Sequence, residues 1–256
     1  MITSESSLSE ATNSFEQALE PLRRKLAALE ICLSEKQEER LLSFCRLLAK
    51  RNQNVNLVAK ADPANVLLER VMDSLTIAPL VQRLAGAGKS LVDIGSGAGF
   101  PGLPLAIILD DWSVTLVESV RKKTDFLVEA IAAADLTERV QVAHERAESL
   151  ARRPKQRESF DVATARAVGS LEIICEFAIP LLRVGGTLIA QKSARQIEEE
   201  ASLAKAVLPA LGAKIVEIVH PWPASEGKER VAILIQKTQH TPEKFPRPMS
   251  RIRRNV

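Results

Sequence analysis

The sequence predicts an α/β fold: a Rossmann-like, mainly parallel sheet with one antiparallel strand near the C-terminus, preceded by an N-terminal helical segment. Three observations carry this expectation. From Ser90 onward, short apolar runs alternate with amphipathic stretches, as expected for parallel strands covered on both faces. A glycine-rich turn, Gly95-Ser96-Gly97-Ala98-Gly99, joins the first such strand to a helix. The last two apolar runs have only a polar loop between them.

The elements follow in chain order. Leu19, Leu22, Leu26 and Leu29 suggest a first helix beginning near Pro21. Ser34-Glu35-Lys36-Gln37 fits a capping box, with Ser at N-cap and Gln at N3. Leu41, Cys45 and Leu48 then recur at i, i+4 and i+7 on one apolar face. Asp62-Pro63 reads as another helix start, followed by Val66, Leu67, Val71 and Leu75 at helical spacing. The strands are expected at Leu91–Ile94, Val114–Val117, Val140–Ala143, Phe160–Ala165 and Thr187–Ala190. Helices are expected at Leu103–Leu109, Lys122–Ala134, Leu171–Leu182 and Ala194–Leu208. Lys214–Val219 and Val231–Lys237 must pair as a hairpin or nearly so, which turns one strand antiparallel. The resulting division is a disordered tail at 1–14, a helical segment at 15–85 packed on the core, an α/β domain at 86–240 and a basic tail at 241–256.

Composition narrows the class. The 256 residues are 46% apolar, enough to fold around a core without a disulfide or metal. No apolar run approaches the ~20 residues that cross a bilayer, so no membrane is expected as a partner. Lys plus Arg number 35 and Asp plus Glu 32, giving +3. Any nucleic-acid footprint must therefore come from local clustering. Cys32, Cys45 and Cys175 have no paired spacing and read as reduced thiols of a cytoplasmic protein. His144 and His220 lack a second ligand at metal spacing, so no metal is expected.

The glycine turn carries the chemistry. Glycine permits a sharp turn and a close ligand approach. The next strand ends at Glu118, where a carboxylate can accept two hydrogen bonds from a ribose diol. Together these point to an adenosine-containing ligand. Gly97-x-Gly99-x-x-Gly102 also fits the dinucleotide fingerprint, so an NAD(P)-dependent oxidoreductase is one alternative. Asp93, at the end of the first strand, argues against it: a carboxylate there repels a pyrophosphate and suits an ammonium. Ala147-Glu148 follows the third strand and could meet an adenine. A cationic amino acid joined to adenosine is S-adenosylmethionine.

Asp93-Ile94-Gly95-Ser96-Gly97-Ala98-Gly99-Phe100-Pro101-Gly102-Leu103-Pro104 resembles the cofactor loop of the RsmG (GidB) family. Asn56-Leu57-Val58, Asp73-Ser74-Leu75, Val117-Glu118-Ser119-Val120-Arg121-Lys122-Lys123, Arg146-Ala147-Glu148, Ala165-Arg166-Ala167, Gln191-Lys192 and Glu229-Arg230 resemble further family elements in order. The likeness runs from about Asn52 to Lys237. Arg70 stands where the family usually has histidine, and Ser193 where it usually has glycine. The resemblance implies a class I S-adenosylmethionine-dependent methyltransferase acting on guanine N7 of 16S ribosomal RNA. The expected partner is that RNA within the small subunit or an assembly intermediate, met by a monomer. The resemblance implies that Gly95 and Phe100 shape the cofactor pocket, that Glu118, Ser119 and Val120 hold the ribose and flank the adenine, and that Ala147 and Glu148 meet its edge. Asp93 and Gly97 complete the cofactor set. Arg166 would lie beside both cofactor and target and, with Lys192 on the next strand, forms the catalytic expectation.

The chemistry asks little more. Guanine N7 has a free lone pair on the exposed major-groove edge, so no general base is needed. The stretch Ala163–Ala167 lacks the Asn/Asp-Pro-Pro-Tyr/Phe turn of amino-group methyltransferases, and no cysteine follows a proline as pyrimidine C5 methylation requires. The RNA footprint is expected at Lys244, Arg247, Arg251, Arg253 and Arg254, at Arg121-Lys122-Lys123, and at Arg152-Arg153 with Lys155. A non-catalytic RNA-binding assembly factor is the other alternative.

Overall fold

The computed structural model describes residues 17–59, 66–84, 88–222, 230–248 and 252. Helix α1 covers residues 17–27, so Pro21 lies within it rather than at its start. Helix α2, Glu35–Asn52, begins at the expected capping box: Ser34 Oγ accepts from the Gln37 amide, and Gln37 Oε1 accepts from the Ser34 amide. Leu41, Cys45 and Leu48 are all buried. The Asp62-Pro63 helix start lies outside the described residues. A π-helical segment, Val66–Val71, leads into the short helices α3, Met72–Leu75, and α4, Ala78–Arg83.

The sheet has seven strands: β1 Ser90–Ile94, β2 Ser113–Glu118, β3 Val140–His144, β4 Phe160–Arg166, β5 Leu182–Ser193, β6 Ala213–Val219 and β7 Arg230–Lys237. Its order is β3-β2-β1-β4-β5-β7-β6. The pairs β1–β2, β2–β3, β1–β4 and β4–β5 are parallel, while β7 is antiparallel to both β5 and β6. The single antiparallel strand is β7, as the pairing of the last two apolar runs required. The connecting helices are α5 Gly102–Ile108, α6 Arg121–Ala133, α7 Ala147–Leu150, α8 Leu171–Ala178 and α9 Ile197–Leu211. Strand β5 is much longer than the apolar run that announced it, because Arg183, Gly185 and Gly186 extend it toward β4's start.

Two apolar layers cover the sheet. One joins β1 and β2 to α1, α2, α5 and α6; the other joins β4, β5 and β7 to α8 and α9. Phe44 of α2 is fully buried, with its ring 5.3 Å from Phe100 and 6.3 Å from Phe126. Truncating such a ring costs roughly 3–5 kcal/mol. The helical segment is therefore fastened to the sheet directly beneath the glycine turn.

The C-terminal stretch is also fastened. Arg157 donates to the carbonyls of Thr241 and Phe245, and Arg152 to that of Pro246. Arg247 forms a two-pronged ion pair with buried Glu176, so this charge, expected on RNA, is neutralised within the protein. These contacts gather near the N-terminal ends of β4 and β5. Arg152 and the 241–248 stretch therefore sit toward the start of β4, whereas Arg153 pairs with Glu145 just past the end of β3 at 3.1 Å, on the side of the glycine turn. Arg251, Arg253 and Arg254 lie outside the described residues. Among the described residues, no helix is long and apolar enough to cross a membrane.

Candidate functional site

Strand order reverses between β1 and β4, whose ends lie side by side with Ile94 opposite Ala165. Crevices at such switch points are where open α/β sheets bind ligands. The turn after β1 rises here. Ser96 donates its amide to Val117 of β2 and its hydroxyl to the Asp93 carbonyl, and Gly97 donates its amide to Glu118 Oε2 at 3.1 Å.

Two glycines in this turn have different reasons. Gly95 has φ +67°, and a Cβ there would lie 2.9 Å from Val168. Its bareness serves packing of the turn after β4. Gly97 has φ +57°, but a Cβ there would meet nothing nearer than the Gly95 carbonyl oxygen at 3.8 Å. The space beside Gly97 is open, and it borders Glu118.

Glu118 is buried at the end of β2. Its Oε1 accepts the amides of Ser119 and Val120, each at 2.8 Å. With Gly97 on Oε2, three of its roughly four acceptor positions are filled. This is narrower than a two-bond grip on a ribose diol: Oε2 has room for one further donor. Ser119 is exposed, and Val120 presents an apolar side chain 47% exposed at the N-cap of α6. Across β3, Ala147 is buried at the first residue of α7 and Glu148 is half-buried beside it.

Asp93 does a different job from the one expected. It is fully buried; Oδ2 accepts the Gly102 amide at 3.2 Å and Oδ1 accepts the Thr164 hydroxyl at 2.8 Å. It ties the start of α5 and strand β4 to β1 instead of offering a carboxylate to an ammonium. Burial pushes its carboxyl up to about 6, against the pull of those bonds. Gly102 itself packs so closely on the sheet that a Cβ there would meet Leu116 at 2.4 Å and Asp93 at 2.8 Å.

Phe100 is likewise turned inward. Its ring packs on Phe44, and the Arg166 guanidinium lies 5.3 Å from its centroid. Arg166, at the end of β4, donates through Nη1 to Asp73 Oδ2 at 2.7 Å. Its Nε and Nη2 take no hydrogen bond among the described residues. The next residue, Ala167, has φ +56°, a strained conformation for a residue with a side chain that no periodicity announces. Lys192 Nζ is held by the Gly169 carbonyl and by Glu200, both at 2.6 Å. These bonds account for Lys192 without the target contact expected of it.

Asp73 is the residue that function-oriented reading of the sequence missed. It is 2% exposed and collects Arg166 and Arg230 on Oδ2, both at 2.7 Å, and Trp222 Nε1 on Oδ1 at 2.9 Å. Its backbone carbonyl accepts Gln191 Nε2 at 2.8 Å. Four of the separate short motifs thus meet at one buried residue, Arg166 and Arg230 on the Asp73 carboxylate and Gln191 on its backbone carbonyl. Their scatter along the chain gave no sign of this, although their shared polar character in apolar surroundings was visible.

The model of the family described as "GidB: rRNA small subunit methyltransferase G" matches residues 37–221. The chain is 42% identical over 219 residues to the ribosomal RNA small subunit methyltransferase G of Desulfitobacterium hafniense, covering 86% of this chain and 89% of that protein. It is 37% identical over 233 residues to the protein of the same name from Rubrobacter xylanophilus, covering 90% and 87%. Among solved structures, an O-methyltransferase from Bacillus cereus in complex with SAH aligns with TM-score 0.58 at 19% identity, covering 85% of this chain and 97% of that one. TYW2 of M. jannaschii, solved with AdoMet, aligns with TM-score 0.50 at 15% identity, covering 64% and 76%. These two likenesses show a methyltransferase fold. With the family model spanning most of the sheet, and relatives this similar over nearly their whole length, the chain belongs to the GidB family, rRNA small subunit methyltransferase G.

Proposed function

We propose that this protein transfers a methyl group from S-adenosylmethionine to N7 of a guanine in 16S ribosomal RNA. The observation that carries this reading is the open space at Gly97 beside Glu118. A bare, left-handed residue there makes room for a ligand, and a carboxylate with one acceptor position left can take a ribose hydroxyl. Val120 offers an apolar surface to one face of an adenine, and Ala147 with Glu148 stand across β3 toward its edge.

The bound cofactor would supply an already electrophilic methyl group. The chain then needs to hold two partners in line, which can lower a barrier by ~7–11 kcal/mol. Asp93 keeps the glycine turn in shape from below. Arg166, fixed by Asp73 and Phe100, keeps Nε and Nη2 available for a carboxylate or a phosphate. Guanine N7 carries no proton, so no side chain has to remove one. An oxidoreductase reading fits less well, because the matching family and the relatives similar over most of the chain are named methyltransferases.

On this reading the protein works in the cytoplasm, on small subunits or their assembly intermediates, as a monomer. The deciding experiment supplies radiolabelled S-adenosylmethionine with naked 16S RNA and with small subunits, then digests the RNA and identifies the labelled nucleoside. Label in 7-methylguanosine is the expected result. Label on a different nucleoside, on protein only, or nowhere overturns the reading.

A further inference from the structure

A second hollow lies between α6 and the end of α2 with the stretch that follows it. Its volume is about 360 Å³, within the range of small-ligand sites. Its floor is apolar: Val55 and Leu57, from the stretch after α2, with Phe126 of α6. Its walls are charged. Arg51 pairs with Glu129 Oε2 at 2.6 Å, and Arg121 holds Asp125 Oδ1 at 2.9 Å. Each carboxylate engages through one oxygen, so Glu129 Oε1 and Asp125 Oδ2 accept no hydrogen bond among the described residues. Lys122 also lines the hollow and has no ion pair among the described residues. It is exposed in the first turn of α6, at the positive end of the helix dipole.

These features select an occupant. The apolar floor suits the face of a base, and the unpaired lysine suits a phosphate. The two carboxylate oxygens suit the amino donors of a base edge. An acidic peptide would meet both carboxylates, and an anionic lipid surface would meet them as well. The hollow also shares α6 with the proposed site: at 1.5 Å per residue, Phe126 lies about 9 Å along the helix from Val120.

We propose that this hollow binds an unpaired nucleotide of the RNA substrate, one that flanks the methyl acceptor. Its base rests on Val55, Leu57 and Phe126, and its phosphate faces Lys122. The assignment rests on the reading of this chain as an RNA methyltransferase.

Two variants of the full chain test it. Val55→Trp fills the hollow without altering charge, and Lys122→Glu reverses the free cation. With small subunits as methyl acceptor, each is expected to raise KM for the subunit at least about fivefold, the lower end of what stacking one base contributes. Melting temperature and S-adenosylmethionine affinity serve as folding controls, so a misfolded Val55→Trp protein leaves Lys122→Glu to decide. Independently of turnover, ribosomal RNA carrying 6-thioguanosine or 4-thiouridine should photocrosslink to the peptide holding Val55 and Leu57 or to that holding Phe126. Methyl transfer with unchanged KM and crosslinks elsewhere overturns the hollow while the enzymatic reading stands. Crosslinks in the hollow without methyl transfer to any RNA overturn the enzymatic reading while the hollow stands.

Discussion

Asp73 and Arg166 lie 93 positions apart in the chain and 2.7 Å apart in the fold. That bond joins the N-terminal helical segment to the end of β4, where the crevice opens. Arg230 shares the same carboxylate oxygen, so one buried anion holds two cations. Two guanidinium groups on one carboxylate leave the hub itself with a net positive charge.

Removing that anion should be costly. Asp73→Asn leaves two guanidinium groups packed around a neutral amide, and breaking a buried ion pair by losing one partner costs about 3–5 kcal/mol. Urea unfolding of the variant should show that loss. A change under about 1 kcal/mol would mean that the hub contributes little to holding the two segments together.

Glu118→Ala should weaken S-adenosylmethionine binding by ~1.5–3 kcal/mol, the usual scale for a charge-assisted hydrogen bond. It also leaves the amides of Gly97, Ser119 and Val120 without their carboxylate. Titration calorimetry reads the effect. An unchanged dissociation constant would remove Glu118 from the ribose site.

Gly97→Ala and Gly95→Ala should separate in kind. Both place a side chain in a left-handed conformation, at roughly 1–2 kcal/mol. At Gly97 the new methyl enters open space, so the main loss should be cofactor affinity, at least about tenfold. At Gly95 it meets Val168 at 2.9 Å, so the main loss should be melting temperature. Thermal melts and calorimetry on both variants decide this, and identical profiles would refute the distinction.

Asp93 should give the fold a distinctive pH dependence. Its carboxyl is raised by burial from 3.8 to about 6 in the folded chain. The folded state therefore binds this proton more tightly than the unfolded one. Its contribution favours folding below pH ~4, declines as pH rises from ~4 to ~6, and stays level above that. Two pKa units correspond to about 3 kcal/mol. Burial would raise Glu158 as well, but bonds from Lys237, His240 and the Thr241 amide hold it at about 2. Its contribution runs the other way and is lost as pH falls below ~4.5. Unfolding measured from pH 3 to 8 should show the Asp93 decline in the native protein and not in Asp93→Asn. Parallel curves for the two proteins would contradict the assignment.

The sequence by itself determined much of this protein. Capping at Ser34 and Gln37, the apolar runs of the strands, the glycine turn and the antiparallel β7 were all legible, because each depends on local spacing and turn chemistry. The family was legible for the same reason, since its motifs are short and contiguous. Only the tertiary structure decided what the polar residues do. Asp93 clamps α5 and β4 to β1, and Lys192 pairs with Glu200. Asp73 became the meeting point of Trp222 and Arg230, 149 and 157 positions away. A side chain's partner is set by which surfaces pack together, and a buried charge must find that partner wherever the fold brings it. Periodicity along the chain carries no record of such distances.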